Sequence, residues 1–365
     1  MNLIELFQKL LTFKSITPND DGAFDFIKDY LGNSWECIDL DIKDTKNRFF
    51  YKKFNKVDQH LCFAGHIDVV PVDNWIDDPF SPEIKNGIIK ARGAQDMKSG
   101  LAAFLYSCKH TINFNGTLSI LLTSDEEGEG TYGTIKMLEH LKKINFLPNF
   151  SIVAEPTCEK VFGDAIKIGR RGSINGYLKI KGKQGHAAYP EKTINPIHQI
   201  ASILDKIADI NLDQGDKYFQ PSKIVITDIR GGSQVTNLTP NRLDIMFNVR
   251  NSTNTSKKDI ENYFKKYLNN LDYNINLTQN SYPFITNENS KIVKQMEKSI
   301  QNILNIKTKH STAGGTSDAR YFGAFGIESI EFGVINDTIH SIKEQTTTKQ
   351  VEDLSLIFDD IIKKL

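Results

Sequence analysis

The chain has 365 residues, with 45 basic and 45 acidic side chains and a formal net charge of zero. That balance argues against a nucleic-acid binder, which shows a basic excess or stripe, while 39% apolar residues and 22 phenylalanines argue against disorder. At this length two domains are expected, because single cores stop growing beyond about 250–300 residues, and neither disulfides nor a structural metal is needed for folding.

In chain order, MNLIELFQKLLTFKS sets Ile4, Phe7, Leu10 and Leu11 on one helical stripe broken by Glu5 and Lys9. This predicts a packed first helix rather than the unbroken apolar region of a signal peptide. WECIDLDI and NRFFYKKF then read as strands, and HLCFAGHIDVV as a near-continuous apolar strand ending in polar residues. SGLAAFLYSCKHTI has helical periodicity, TLSILLTSDEE is an apolar strand ending in charge, GTIKMLEHLKKI is a helix, and FSIVAEPT is a further strand. Apolar strands alternating with helices predict an α/β sheet buried on both faces, mostly parallel, with charge collected at the strands' C-terminal ends. In such sheets that edge is where ligands bind.

Near residue 172 the texture changes. SINGYLKIKGK alternates as a strand, INPIHQIASILDKIADI is an amphipathic helix, and SKIVITDIRGG and NRLDIMFNVRNS are strands. SKKDIENYFKKYLNNL is a helix capped at Ser256 or Thr255. Together these predict a small α/β sandwich on an antiparallel sheet. After Pro283 come a helix (KIVKQMEKSIQNIL), a Gly-rich turn, the strand IESIEFGV and a C-terminal helix. The expected organisation is therefore a discontinuous α/β catalytic domain, residues 1–171 plus 285–365, interrupted by an inserted domain at 172–284. No run of 18 apolar residues predicts a membrane span. Cys37, Cys62, Cys108 and Cys158 share no short spacing, which fits free thiols in a reducing cytoplasm.

Chemistry concentrates at the strand ends: His66 and Asp68 in GHIDVVP, Asp96 in GAQDMKSG, Glu126 and Glu127 in TSDEEG, Glu155 in AEPT, and the distant His340 in NDTIHS. Singly, each has an ordinary reading as a hydrogen-bonded histidine, a helix cap or a solvated acid. Jointly they fall where the fold would gather them. Two imidazoles and three carboxylates, with no thiolate, suit zinc, cobalt or manganese. A bridging carboxylate plus separate ligands on each side would hold two ions. Of adjacent Glu126 and Glu127, one could ligate and the other act as base. Asp68, two residues from His66, is placed to accept from that histidine's second ring nitrogen.

Gly65–Pro71, Gly93–Lys98 and Glu126–Gly128 resemble the GHxDVVP, GAxDMK and EEG segments of the M20 family of zinc-dependent metallopeptidases and deacylases, and the resemblance covers essentially the whole chain. It implies a zinc-peptidase-like catalytic domain interrupted by a ferredoxin-like dimerisation domain, and metal-dependent amide hydrolysis in a homodimer. Two Zn2+ per subunit are implied, one replaceable by Co2+ or Mn2+. Asp96 would bridge them, His66 and Glu155 completing one site and Glu127 and His340 the other, with Glu126 as general base. The peptide after Asp96 would be cis.

GRRGS (169–173), GHAAYP (185–190), GGTSDAR (314–320) and NDTIH (336–340) resemble segments of a deacylase in this family acting on a small acyl amino acid. By that resemblance Arg170, Ser173, Tyr189, Asn237, Arg250, Gly315, Thr316 and Asn336 would contact substrate, and His186 would stabilise an oxyanion in the neighbouring subunit's site. Arginines pair bidentately with carboxylates, which suits Arg170 and Arg250, although a basic pair at a domain junction is also an ordinary surface feature. Gln95, where a small residue is usual, and Leu238–Thr239, where Val–Ile is more frequent, depart from the pattern.

Overall fold

The computed structural model describes residues 1–315 and 317–365, Asn280 by its main chain alone. Contacts divide the chain into two units, one formed by Met1–Gly169, Ile285–Ser311 and Ser317–Leu365, the other by Arg170–Phe284 and a short return segment beginning at Thr312.

The apolar runs of the first unit assemble an eight-stranded sheet in the order Glu36–Ile42, Thr45–Lys53, Thr117–Thr123, His60–His66, Phe150–Val153, Glu328–Glu331, Ala165–Lys167, Lys309–Ser311. Every residue of the 60–66 and 117–123 strands is buried. One group of helices, Leu3–Leu11, Lys98–His110, Lys291–Leu304 and Thr348–Lys364, packs together, and Thr134–Lys143 packs with Ala319–Ala324. The sheet is mixed. Pairing is parallel among 117–123, 60–66, 150–153 and 328–331, and between 165–167 and 309–311. It is antiparallel from 36–42 to 45–53 to 117–123, and between 328–331 and 165–167. The two-residue connection at Lys43–Asp44, with Lys43 at φ 55, enforces the first of these antiparallel pairs. Apolar runs report burial on both faces but not strand direction, so the sequence pattern alone does not separate the two arrangements.

The parallel centre places the site. His66 pairs with Thr123, and Ala64 with Val153, so the chain leaves all three strands at one edge of the sheet. Behind that edge, His60 is buried with its ring 5.0 Å from Phe146 and Nε2 2.7 Å from the Ser119 hydroxyl. Burial, with Lys53 adding to it, lowers its pKa to about 4. The unfolded chain, with a histidine pKa near 6.5, therefore binds the extra proton first, and His60 contributes stability above about pH 6.5 that is lost as pH falls toward 4. Melting temperature across this range should fall for the native chain and flatten in part for His60→Gln, which cannot titrate. Coincident profiles would rule out this source of acid sensitivity.

In the second unit, Ser173–Lys181, Lys223–Gly231, Arg242–Arg250 and Tyr273–Ser281 form an antiparallel sheet in the spatial order 223–231, 242–250, 173–181, 273–281. With Pro196–Ala201, Leu204–Ile207 and Lys257–Leu268 the chain order is strand, helix, strand, strand, helix, strand, a split βαβ arrangement. Its core gathers Ile174, Leu178, Ile245, Phe247, Ile260 and Phe264. Gly176 is required there, since a Cβ would lie 2.0 Å from the Phe247 ring. The long helix expected from residue 194 is instead two short ones, Pro196–Ala201 and Leu204–Ile207, separated at Ser202 and Ile203. Ser256, rather than Thr255, caps the helix Lys257–Leu268 in a capping box with Asp259. All four cysteines are unpaired, and among the described residues no helix is long and apolar enough to cross a membrane.

Candidate metal centre

Seven side chains of the first unit meet at the sheet edge. His66 is the last residue of its strand, Glu126 and Glu127 follow the 117–123 strand, Glu155 follows 150–153, and Asp96 precedes the helix Lys98–His110. The Asp96–Met97 peptide is cis. Two groups of ligand atoms, each within 4.8 Å of one another, form around a shared aspartate: His66, Asp96 and Glu155, and Asp96, Glu127 and His340. Asp96 divides its carboxylate between them, Oδ1 lying 3.2 Å from His66 Nε2 and Oδ2 3.2 Å from His340 Nε2. Glu155 Oε1 is 3.7 Å from His66 Nε2, and Glu127 Oε1 is 3.0 Å from His340 Nε2. His66 is fully enclosed, whereas the His340 side chain is 48% exposed.

The role expected for Asp68 needs correcting in one respect. His66 Nδ1 donates to the main-chain carbonyl of Asp68 at 2.9 Å, while the Asp68 carboxylate stands off at 3.6 Å. The carboxylate turns instead toward the main-chain N–H groups of Glu126 (3.4 Å) and Glu127 (3.2 Å), bracing the turn that carries both glutamates. Asp68 therefore fixes the histidine tautomer through its backbone and the Glu126–Glu127 turn through its side chain.

The electrostatics describe a site with surplus negative charge. Burial pushes the Glu126 carboxyl well above its ordinary pKa, and Asp318, Glu127 and Asp96 add to the rise. Glu155 is raised in the same way, by burial and then Asp96. Burial alone would depress His66, but Asp96, Asp68 and Glu155 outweigh it and raise its pKa. His340 is raised to about 10 by its bonds to Asp96 and Glu127. Asp96 moves down, burial being outweighed by the two histidines. Five carboxylates crowd two imidazoles. Divalent cations at the two clusters would neutralise that surplus, and nitrogen and oxygen donors with no thiolate fit ions of the zinc, cobalt or manganese type. The residues present thus fit a pair of ions sharing Asp96.

In the second unit, Arg170 is buried and donates to the carbonyls of Ala313 (3.0 Å) and Gly315 (3.3 Å), and Gly314 passes so near that a Cβ would lie 2.2 Å from its Nη1. Ser173 accepts from Asn248, and Tyr189 is exposed with its ring edge-on to His186. Asn237 is exposed and its carbonyl accepts from Ala187, and Arg250 ends its strand exposed. His186 is exposed, its Nδ1 accepting from the Ala188 N–H. Asn336, in the first unit, is half-buried with its N–H on the Cys158 carbonyl. Thr316 lies outside the described residues. Two buried acids went unmarked by sequence reasoning. Asp318, which accepts from the Thr134 hydroxyl at 2.5 Å and bears on Glu126, sits inside the quoted GGTSDAR segment; Glu344 sits in IKEQ, which reads as ordinary solvated surface.

An α/β fold with paired clusters of ligand-type groups on one shared carboxylate defines a metal-dependent hydrolase. The chain belongs to peptidase family M20/M25/M40, whose model matches residues 62–364. It is 72% identical over 364 residues to a protein of Aliarcobacter butzleri named succinyl-diaminopimelate desuccinylase, covering 100% of both chains. A protein of that name from Nautilia profundicola is 58% identical over 365 residues, again covering 100% of both. Among solved structures, aminopeptidase PepT from Bacillus cereus superposes with a TM-score of 0.81 over 99% of this chain and 97% of its own, at 18% identity, a likeness of fold.

Proposed function

We propose that the chain is a succinyl-diaminopimelate desuccinylase. It hydrolyses N-succinyl-L,L-2,6-diaminopimelate to succinate and L,L-2,6-diaminopimelate, a step of lysine and diaminopimelate biosynthesis in the cytoplasm. The observation carrying this reading is that five relatives bearing that one name match at 55 to 72% identity over 99 to 100% of the chain. His66, Asp96 and Glu155 would hold one Zn2+, and Asp96, Glu127 and His340 the other, with Co2+ or Mn2+ able to replace one. When bound, such ions polarise the amide carbonyl and acidify a water.

Glu126 belongs to neither cluster and is half-buried, its pKa raised by desolvation and then by Asp318, Glu127 and Asp96, which suits a proton acceptor. It takes the proton of the attacking water as the oxygen adds to the succinyl carbonyl. The carbon–nitrogen bond then breaks, and Glu126 returns the proton to the leaving amine. With Nδ1 accepting from Ala188, His186 carries its proton on Nε2, free to donate to the oxyanion. We assign that donation to the site of a second copy, in a homodimer formed through the inserted unit; full activity in a monomer at assay concentration would overturn it. Arg170, Ser173, Tyr189, Asn237, Arg250, Gly315, Thr316 and Asn336 would bind the substrate, whose several carboxylates call for cationic and amide donors.

A substrate panel tests the assignment. After zinc reconstitution, kcat/KM for succinyl-diaminopimelate should exceed that for acetylornithine and for dipeptides by at least about 100-fold, because a site built to pair the succinyl carboxylate rejects acyl groups lacking it. Equal or better turnover of acetylornithine or a dipeptide would reassign the chain within its family.

A further inference from the structure

Glu344 is a fully buried carboxylate outside both ligand clusters, paired with the almost fully buried Arg92 at 2.7 Å. A buried ion pair is weak grounds for stability, since desolvation offsets most of its attraction. Its other contacts point to the metal centre. Glu344 Oε1 accepts the main-chain N–H groups of Gln95 at 2.9 Å and Asp96 at 3.1 Å, fixing the backbone of the residue both clusters share. Arg92 reaches the opposite way, donating to the carbonyls of Ser341 (3.3 Å) and His340 (3.5 Å). His340 sits at φ 58, in the left-handed region few non-glycine residues adopt, and the Arg92 contact to its carbonyl holds the backbone there. A second tie runs parallel to the first: the buried Gln95 side chain donates to Asp337 at 2.6 Å and accepts from the Thr338 N–H at 2.9 Å.

We propose that Arg92, Gln95 and Glu344 are positioning residues of the metal centre, clasping the segment that ends in Asp96 to the segment that carries His340 and so setting the grip of Asp96, Glu127 and His340 on their ion. This rests on the reading that the clusters hold metal. The clasp bears unequally on the two sites. The clasp's one contact toward the first cluster is Arg92 Nη2 on the Pro71 carbonyl at 3.4 Å, five residues beyond His66, and none reaches the Glu155 strand, whereas His340 lies in a half-exposed loop whose position relative to Asp96 depends on it. Gln95 makes the second tie through its side chain, independently of the Arg92–Glu344 pair.

The test titrates the metal-free protein, Glu344→Gln and Gln95→Ala with Co2+, following the visible absorption that reports ligand geometry; His340→Ala marks which binding step belongs to its cluster. In both variants that step should weaken about 10- to 100-fold with an altered spectrum, while the other step shifts less than about 3-fold. An unchanged His340-linked step, or equal weakening of both steps, overturns the proposal in favour of a purely structural pair. Where Glu344→Gln does not fold, Gln95→Ala, which leaves the ion pair intact, decides alone. Failure of the native protein to bind Co2+ would refute the metal reading itself and this proposal with it.

Discussion

Glu126→Gln is expected to keep two metal ions per chain and to lose turnover by about 10²–10⁴-fold, the range a general acid–base residue contributes. The two expectations separate base from ligand. Glu126 stands outside both clusters, so an amide in its place removes no donor atom. Its main-chain N–H keeps the Asp68 contact at 3.4 Å, so the turn that also presents Glu127 survives the substitution. An amide cannot accept and return a proton, however well it fits. Turnover within about tenfold of the native chain would remove Glu126 from the role of base, and loss of a metal ion would make it a ligand.

Asp96→Ala has the second large expected effect, and it differs in kind. Because each Asp96 oxygen faces a different histidine at 3.2 Å, its removal takes one donor from both clusters. Both ions should be lost, and activity should fall by at least about 10³-fold, the equivalent of several kcal/mol of transition-state stabilisation. His340→Ala should instead weaken one ion and spare the other, since His66 and Glu155 retain Asp96. Metal analysis of purified protein checks both. Two ions per chain in either variant would contradict the arrangement drawn from the clusters.

The parts of this molecule legible in the sequence are those set by local pattern. Continuous apolar strands ending in charge marked the edge where His66, Glu127 and Glu155 meet, because parallel strands bring their C-terminal ends together whatever their order. Strand direction at the sheet's margins was not legible, since burial on both faces looks the same in either orientation. Neither was the interruption at Ile203, within a stretch whose apolar spacing is that of one helix. At the site, residue types and spacing identified the ligand-type groups but could not distinguish the Asp68 side chain from its carbonyl as the partner of His66. Glu344 lay furthest out of reach: an acid in a polar stretch reads as solvated, and its burial follows from tertiary contact with Arg92 and the Asp96 turn.

On the proposed function, this chain hydrolyses a succinyl amide with two metal ions gathered on Asp96. Metal-free protein titrated with zinc, with bound ions counted while succinate release from succinyl-diaminopimelate is followed, tests it most directly. Binding should saturate at two ions per chain, with hydrolysis absent before zinc and restored by it. Full hydrolysis in the metal-free protein, or saturation below two ions with activity complete, would contradict the account.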